Sequence, residues 1–377
     1  MKAASVPGFV MDMDDGVLRD FARKKAKSCQ SRAPGRDDGE RFGVLRAEAE
    51  RLGVRPPKPG KDSATLRSAV ARLEDAAWWR RVLRRAAGRE REHQARAAGQ
   101  VHKFAGIYVS DDTLRRRRHR RQDTREMLAC METINELVEG FTLEELADRS
   151  MANPVLRRSE LMARIAGLER MAKDLGHVAE FYTITCPSRM HVRHARDGRP
   201  IENRDGTAPD EAQAYLCQVW SRARAKMHRK GIRVYGLRVA EPNHDGTPHW
   251  HLLLFMAARE RHEVREILQH YALRVDGHEP GAHQHRFDVG PIDWNRGSAA
   301  GYVAKYVSKN VDGAHIDNDT YGTDARAAAE RIEVWARVWG IRQFQQIGGP
   351  PVSVWRELRR AVETTDELLE HARTAAD

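Results

Sequence analysis

Two short segments of this chain combine residue types and spacings that could do chemistry. Residues His249-Trp250-His251 lead into an apolar run, Leu252-Leu253-Leu254-Phe255, and further along come Tyr302 and Tyr306 in Tyr302-Val303-Ala304-Lys305-Tyr306-Val307-Ser308-Lys309. On a strand, side chains at i and i+2 leave the same face, so His249 and His251 can offer two imidazoles to one ion. On a helix, residues at i and i+4 stand one turn apart, so Tyr302 and Tyr306 can reach the same substrate atom. Glu241 precedes His249 by eight residues and could come alongside through a turn. Two imidazoles and a carboxylate with open positions suit Mg²⁺ or Mn²⁺ when the substrate supplies further oxygens, although zinc would accept the same ligands. Burial on an apolar strand would keep both rings neutral and ready to bind metal. A tyrosine hydroxyl, with a pKa of about 10, is a poor nucleophile. A cation on a non-bridging phosphate oxygen would compensate, so phosphodiester chemistry is the expectation. Lys305 and Lys309, each three residues after a tyrosine, could stabilise charge on phosphate or phenolate, or hold a nucleic-acid backbone.

Each feature alone has a plainer explanation. An isolated His-x-His is more often a hydrogen-bonded pair of core or surface residues, and tyrosines at helical spacing usually cover a sheet. A second pair, His283-Gln284-His285, follows Gly277, Pro280 and Gly281 in a polar loop that would hold its rings poorly. His244 falls in the turn between the proposed ligands, where it could contact substrate but is expected to be solvated.

Composition narrows the class of partner. Of 377 residues, 41% are hydrophobic and 32% charged, with a formal net charge of +11. Such a balance favours a polyanionic partner, nucleic acid before an anionic membrane, because a basic surface steers towards phosphates and releases counterions on binding. No apolar run approaches the roughly 18 to 20 residues a membrane span requires, and the N-terminus has no signal-like apolar core. The expected location is the cytoplasm. Cys29, Cys130, Cys186 and Cys217 are dispersed, without a Cys-x-x-Cys, which indicates neither a disulfide framework nor a zinc ribbon. The run Arg115-Arg116-Arg117-Arg118-His119-Arg120-Arg121 could grip DNA phosphates through its six arginines.

Element patterns then divide the chain. Residues 1–62, with Arg55-Pro56-Pro57-Lys58-Pro59-Gly60-Lys61, read as a flexible basic arm or linker. Residues 63–176 read as a helical basic region: one helix over 63–99, another from the arginine run through Met127, Met131, Ile134, Leu137 and Val138, a break at Asn153-Pro154, and a helix over 160–175. From Phe181 the pattern turns to strands at 181–185, 234–239, 249–256 and 286–292, interleaved with helices over 209–230, 260–271 and 298–310. The fold class is therefore α+β, a central antiparallel sheet flanked by helices, with helical N- and C-terminal regions. The sheet domain occupies residues 177–315, and 316–377 reads as helices interrupted at Gly348-Gly349-Pro350-Pro351.

These motifs resemble, in order, those of the HUH endonucleases, specifically the bacteriophage replication gene A proteins, which initiate rolling-circle replication with two active-site tyrosines. Phe181-Tyr182-Thr183-Ile184-Thr185-Cys186-Pro187-Ser188 resembles the family's first motif, the segment from Glu241 to His251 its metal motif, and the segment from Gly301 to Asn310 its nucleophile motif. Gln343 to Pro351 is similar to a segment these phage proteins carry downstream. The resemblance spans roughly Arg157 to Arg360. It implies a metal held by His249, His251 and Glu241, and attack by Tyr302 or Tyr306 on single-stranded or locally melted origin DNA. The products would be a 5′-phosphotyrosine and a 3′-OH that primes replication of a phage or prophage, with rejoining later by the second tyrosine. No Gly-x-x-x-x-Gly-Lys-Ser/Thr is present, which points to a host helicase and replisome as partners. The other readings are a non-catalytic origin-binding protein that kept the fold, a two-tyrosine HUH transposase and, most remotely, a zinc hydrolase.

Overall fold

Alternation of side chains along three consecutive strands builds the part of the molecule that matters for chemistry. A computed structural model describes residues 7–32, 34–60, 62–295, 297–362 and 365–376. Its contacts group into two compact units, residues 1–101 with 109–117 and residues 102–108 with 118–377.

The first unit is helical. It contains α1 (Gly8–Met11), α2 (Asp15–Gln30), α3 (Asp38–Arg51), α4 (Ser63–Leu73), α5 (Ala76–Ala97) and the start of α6 (Asp111–Ala129). The flexible arm expected over 1–62 is thus corrected for the described residues, since α1 to α3 fall there; residues 1–6, Ala33 and Lys61 lie outside them. An aspartate caps each of four helices, Asp14, Asp37, Asp62 and Asp75 accepting backbone N–H groups of α2, α3, α4 and α5. Such caps satisfy donors the helix leaves orphaned. Leu18, Ala22, Ala26 and Cys29 of α2, Leu45 and Ala49 of α3, Leu73 of α4 and Trp79 and Leu83 of α5 form one buried cluster. The stripe on α2 is built of small residues between charged ones, which hides it among the basic residues of the sequence. The helix expected over 63–99 is two, α4 and α5, broken at the Asp75 cap.

The second unit holds the sheet. A hairpin of β1 (Glu132–Ile134) and β2 (Gly140–Thr142) precedes α7 (Leu143–Asp148) and α8 (Pro154–Asp174). Helical spacing through Met131, Ile134, Leu137 and Val138 therefore misleads. The side-chain oxygen of Asn135 accepts from the N–H groups of Leu137 and Glu139 and Val138 takes positive φ, which turns the chain back on itself. Asn153-Pro154 does not break a helix but starts α8, with Asn153 as cap and proline in the first turn, where its missing N–H costs nothing. There follow β3 (His177–Thr185), α9 (Pro209–Arg229), β4 (Tyr235–Pro242), β5 (Pro248–Ala257), α10 (Arg261–Leu273), α11 (Ala282–His285), β6 (Phe287–Pro291), α12 (Ala299–Val311), α13 (Ala325–Trp339), β7 (Phe344–Ile347), α14 (Val352–Arg360) and α15 (Glu367–Ala376).

The fold is α+β. Five strands run in the order β6-β3-β5-β4-β7, every neighbouring pair antiparallel. The fifth, β7, lies in the region read from sequence as helices interrupted at Gly348–Pro351, so the sheet extends beyond residue 315. Its four residues are too few to display a period. On one face Phe181, Val239, Leu253 and Phe255 pack with Leu161 and Ile165 of α8 and Val303 and Val307 of α12. On the other, the Trp250 indole donates to Gln213 of α9. Because β5 is covered on both sides, residues 250–256 are buried without interruption, as is usual for a strand between two layers of helices. Gly236 has φ of +152°, and a Cβ there would stand 1.9 Å from the Leu253 carbonyl oxygen; only glycine lets β4 lie this close to β5.

Replacement of Trp79 by alanine should remove one of the two tryptophans of the N-terminal helical cluster and cost about 3–5 kcal/mol. Urea unfolding followed by trypsin sensitivity of residues 15–97 reads this loss; an unchanged midpoint for that segment would contradict a cooperative core there.

Candidate active site

Strand register assembles the site. Across the β4–β5 pair Glu241 stands opposite His249, and across β3–β5 Thr183 stands opposite His251. Period-two alternation sends both imidazoles to the face occupied by α12. The two Nε2 atoms are 3.0 Å apart, and Glu241 Oε2 lies 4.0 Å from that of His249 and 3.8 Å from that of His251. Among the described residues these three form the one group of at least three His, Cys, Asp or Glu side chains close enough to share an ion.

The charges favour a cation at that point. Burial would raise the Glu241 carboxyl, but Lys309 and then the two histidines overcome it and hold the pKa down to about 2. Burial first, then the neighbouring His251, pushes His249 down to about 3, and burial pushes His251 down to about 4. Near neutral pH both rings are uncharged, so the Lys309 ammonium is the cation that stabilises the carboxylate. Its Nζ donates to Glu241 Oε2 at 2.9 Å, and Asn310 Nδ2 donates to Oε1. His251 Nδ1 meets Thr183 Oγ1 at 3.1 Å, which orients the ring and leaves Nε2 pointing at the other ligands. His249 Nδ1 is buried without a partner. Two neutral imidazoles and an ionised carboxylate with converging donor atoms fit a divalent metal.

Helix α12 carries the tyrosines to this cluster. Its N-cap Ser298 accepts from Gly301 N–H, and Val303, Val307 and Val311 bury one side against the sheet. That face brings the Tyr306 ring to 4.4 Å from His251 and the Tyr302 ring to 6.2 Å from Tyr306. Phe181 of β3 stacks on His251 at 5.3 Å and meets Tyr302 and Tyr306 at 4.9 and 4.8 Å. Burial, then Tyr302 and Glu241, raises the Tyr306 hydroxyl above its usual pKa. Tyr302 is 48% exposed, so one tyrosine faces solvent while the other is half-buried against the ligands.

The remaining residues singled out in the sequence separate sharply. Lys309 is buried on Glu241 instead of reaching outward, whereas Lys305 is exposed with its ammonium 5.6 Å from the Tyr306 ring centroid. Asn310 and Thr183, which hold the ligands, were within the quoted motifs but had no role there; a buried amide or hydroxyl has no distinctive spacing. His244 is 3% exposed, not solvated. Its turn is buried, with Asp245 accepting from Val192 and Thr247 N–H. His283 and His285 are exposed on the short α11, away from the metal group. In the arginine run, Arg115 and Arg116 pair with Asp112, while Arg118 and Arg121 pair with Glu330 of α13.

Comparison with known proteins places this geometry in a lineage. Residues 40–314 match the model of the bacteriophage replication gene A protein family. The chain is 44% identical to the replication gene A protein of Escherichia phage 186 and 40% identical to that of Escherichia phage P2, over 78% and 82% of this chain and 43% of each relative. It is 39% identical to a "probable replication endonuclease from prophage-like region" of Salmonella paratyphi A, over 77% of this chain and 37% of that protein. The chain thus spans less than half the length of these three relatives. No solved structure matches it significantly. With a family model covering most of its length and the motifs assembled in one place, the chain belongs to the bacteriophage replication gene A protein family.

Proposed function

We propose that this chain is a site-specific DNA-nicking and joining enzyme that starts rolling-circle replication of a phage or prophage in the bacterial cytoplasm. One observation carries the reading: a carboxylate and two neutral imidazoles converge within 4.8 Å, and a tyrosine pair on α12 begins 4.4 Å from His251. The names of the phage and Salmonella relatives support replication and endonuclease roles.

His249, His251 and Glu241 would hold the ion, Mg²⁺ or Mn²⁺. When bound it would polarise a non-bridging oxygen of the scissile phosphate and offset charge in the transition state. Lys309 and Asn310 keep Glu241 ionised and aimed. Tyr302 or Tyr306 attacks phosphorus: a P–O bond forms to the phenolic oxygen as the phenol loses its proton, and the bond to the 3′-oxygen breaks as that oxygen takes one up. The 5′-phosphotyrosine preserves the phosphodiester energy, so a returning 3′-OH can reverse the step without ATP. The second tyrosine, one helical turn away, cleaves the regenerated origin while the first linkage is resolved. Lys305, exposed beside Tyr306, is placed to meet phosphate. The substrate is single-stranded or locally melted origin DNA, and a host helicase and replisome extend the primer.

Tyr302→Phe combined with Tyr306→Phe should abolish the covalent adduct with the fragment downstream of a labelled origin while DNA binding persists. Mass spectrometry of the peptide left on DNA after cleavage by the unmodified chain should identify one of these tyrosines, and an adduct elsewhere would sink the assignment.

His249→Ala with His251→Ala should reduce nicking of a supercoiled origin plasmid at least about a hundredfold, because several kcal/mol of transition-state stabilisation depart with the metal. EDTA should do the same to the wild type. Nicking that survives both treatments would rule out the metal reading, and absence of nicking in the wild type would favour a non-catalytic origin-binding protein.

A further inference from the structure

Outside the ligand cluster, a strongly charged cleft of about 660 Å³ lies between α8, β7, the Gly348–Pro351 turn and α14. Four arginines line it, Arg157, Arg164, Arg342 and Arg356, against a single acid, Glu160. Glu160 is occupied by Arg356, which donates from Nε and Nη2 at 2.7 and 2.9 Å, with Arg164 at 3.4 Å. Arg157 and Arg342 make no side-chain hydrogen bond or ion pair within 4 Å among the described residues, and the Nε atoms of Arg157 and Arg164 are buried without a partner. The acids nearest to Arg157 are committed elsewhere, Glu333 to Arg337 and Asp312 to Arg158. Burial has stripped water from Arg157 and Arg164 and lowers both guanidinium pKa values. A desolvated and unpaired guanidinium such as that of Arg157 is costly unless an anion joins it.

The cleft's position indicates which anion. Gln343 lines it, and the Gln343 amide donates to the carbonyl of Asn310, the residue that grips Glu241. Phe344, Val239 and His251 form one row across β7, β4 and β5, so the cleft begins two strand spacings, about 10 Å, from a proposed metal ligand. It then runs away from the cluster along the sheet edge. Arg157 and Arg164 lie two turns apart on α8, about 10 Å, so the positive charge extends along the cleft. Strand β7 itself is a poor template for an added peptide strand: it has four residues and ends at Gly348-Gly349-Pro350-Pro351, where the prolines offer no N–H.

We infer that this cleft is a binding track for the sugar-phosphate backbone of the single DNA strand that enters or leaves the metal cluster. The inference rests on the DNA-nicking reading and adds a contact surface to it. Arg157 and Arg342 hold phosphates directly, Arg164 and Arg356 supply field, and the contacts are independent of base sequence.

The test uses the full chain in EDTA, so that no cleavage intervenes, with a fluorescein-labelled oligothymidylate read by anisotropy across a salt series. Arg157→Gln with Arg342→Gln should weaken binding roughly tenfold and reduce the slope of log K against log salt by about 1.4, two phosphate contacts on a single strand. Arg342→Gln alone, at an exposed residue without side-chain partners, should give about half of that slope change and guards against misfolding of the double variant. An unchanged slope in both variants, with wild-type binding intact, would overturn the track and leave the nicking proposal standing. Failure of the wild type to bind the oligonucleotide would overturn both. Displacement of the labelled oligonucleotide by oligoglutamate at lower concentrations than by unlabelled oligothymidylate would reassign the cleft to an acidic protein segment.

Discussion

The buried contact between Lys309 and Glu241 is the interaction on which the rest of this site depends. It joins the end of α12 to the end of β4, and with Asn310 it ties the tyrosine helix to the strand that carries the carboxylate. Neither charge could occupy this position alone. A lone carboxylate nearly free of solvent would take up a proton, and a lone buried ammonium would leave its charge uncompensated. Paired, both remain charged, and the carboxylate's negative potential is directed at the two imidazoles. The candidate metal ligands and the tyrosine pair come from different elements, so this contact sets the distance between them.

The sheet supplies the rigidity that such a contact needs. β5 is flanked by strands on both edges and by helices on both faces, which leaves its histidines no freedom except rotation, and Thr183 and Phe181 of β3 restrain His251 even in that. The close approach at Gly236 and the packing of Val303 and Val307 hold β4 and α12 to the same frame. Preorganisation of this kind is what places reacting groups without further cost at the moment of reaction.

Charge is distributed by role. Arginines that looked like an uninterrupted DNA grip at 115–121 are largely engaged with carboxylates, Arg118 and Arg121 on α13 and Arg115 and Arg116 on Asp112. Two arginines that pair with no acid among the described residues, Arg157 and Arg342, lie instead where α8 meets β7, separated in sequence by nearly half the chain. A basic run in a sequence measures local density of charge; whether that charge can act on a ligand depends on the acids the fold brings to it.

What the sequence determined by itself was local. His-x-His on an apolar strand, Tyr-x-x-x-Tyr on a helix and the α+β alternation could be read because each depends on periodicity within one element, and β3, β4, β5 and α12 all occur where those periods indicate. The helices before residue 62 leave little trace in the apolar pattern because their buried stripe sets alanines and a cysteine beside a few leucines among charged residues, and β7 leaves none because four residues show no period. The turn at Asn135 was lost to an apolar spacing that a single side chain overrides. Only the tertiary structure decided that Lys309 serves Glu241 and not the substrate, that His244 is buried, and which arginines remain without acids. These outcomes are set by long-range pairing and desolvation, and those depend on residues distant in the chain that no local pattern connects.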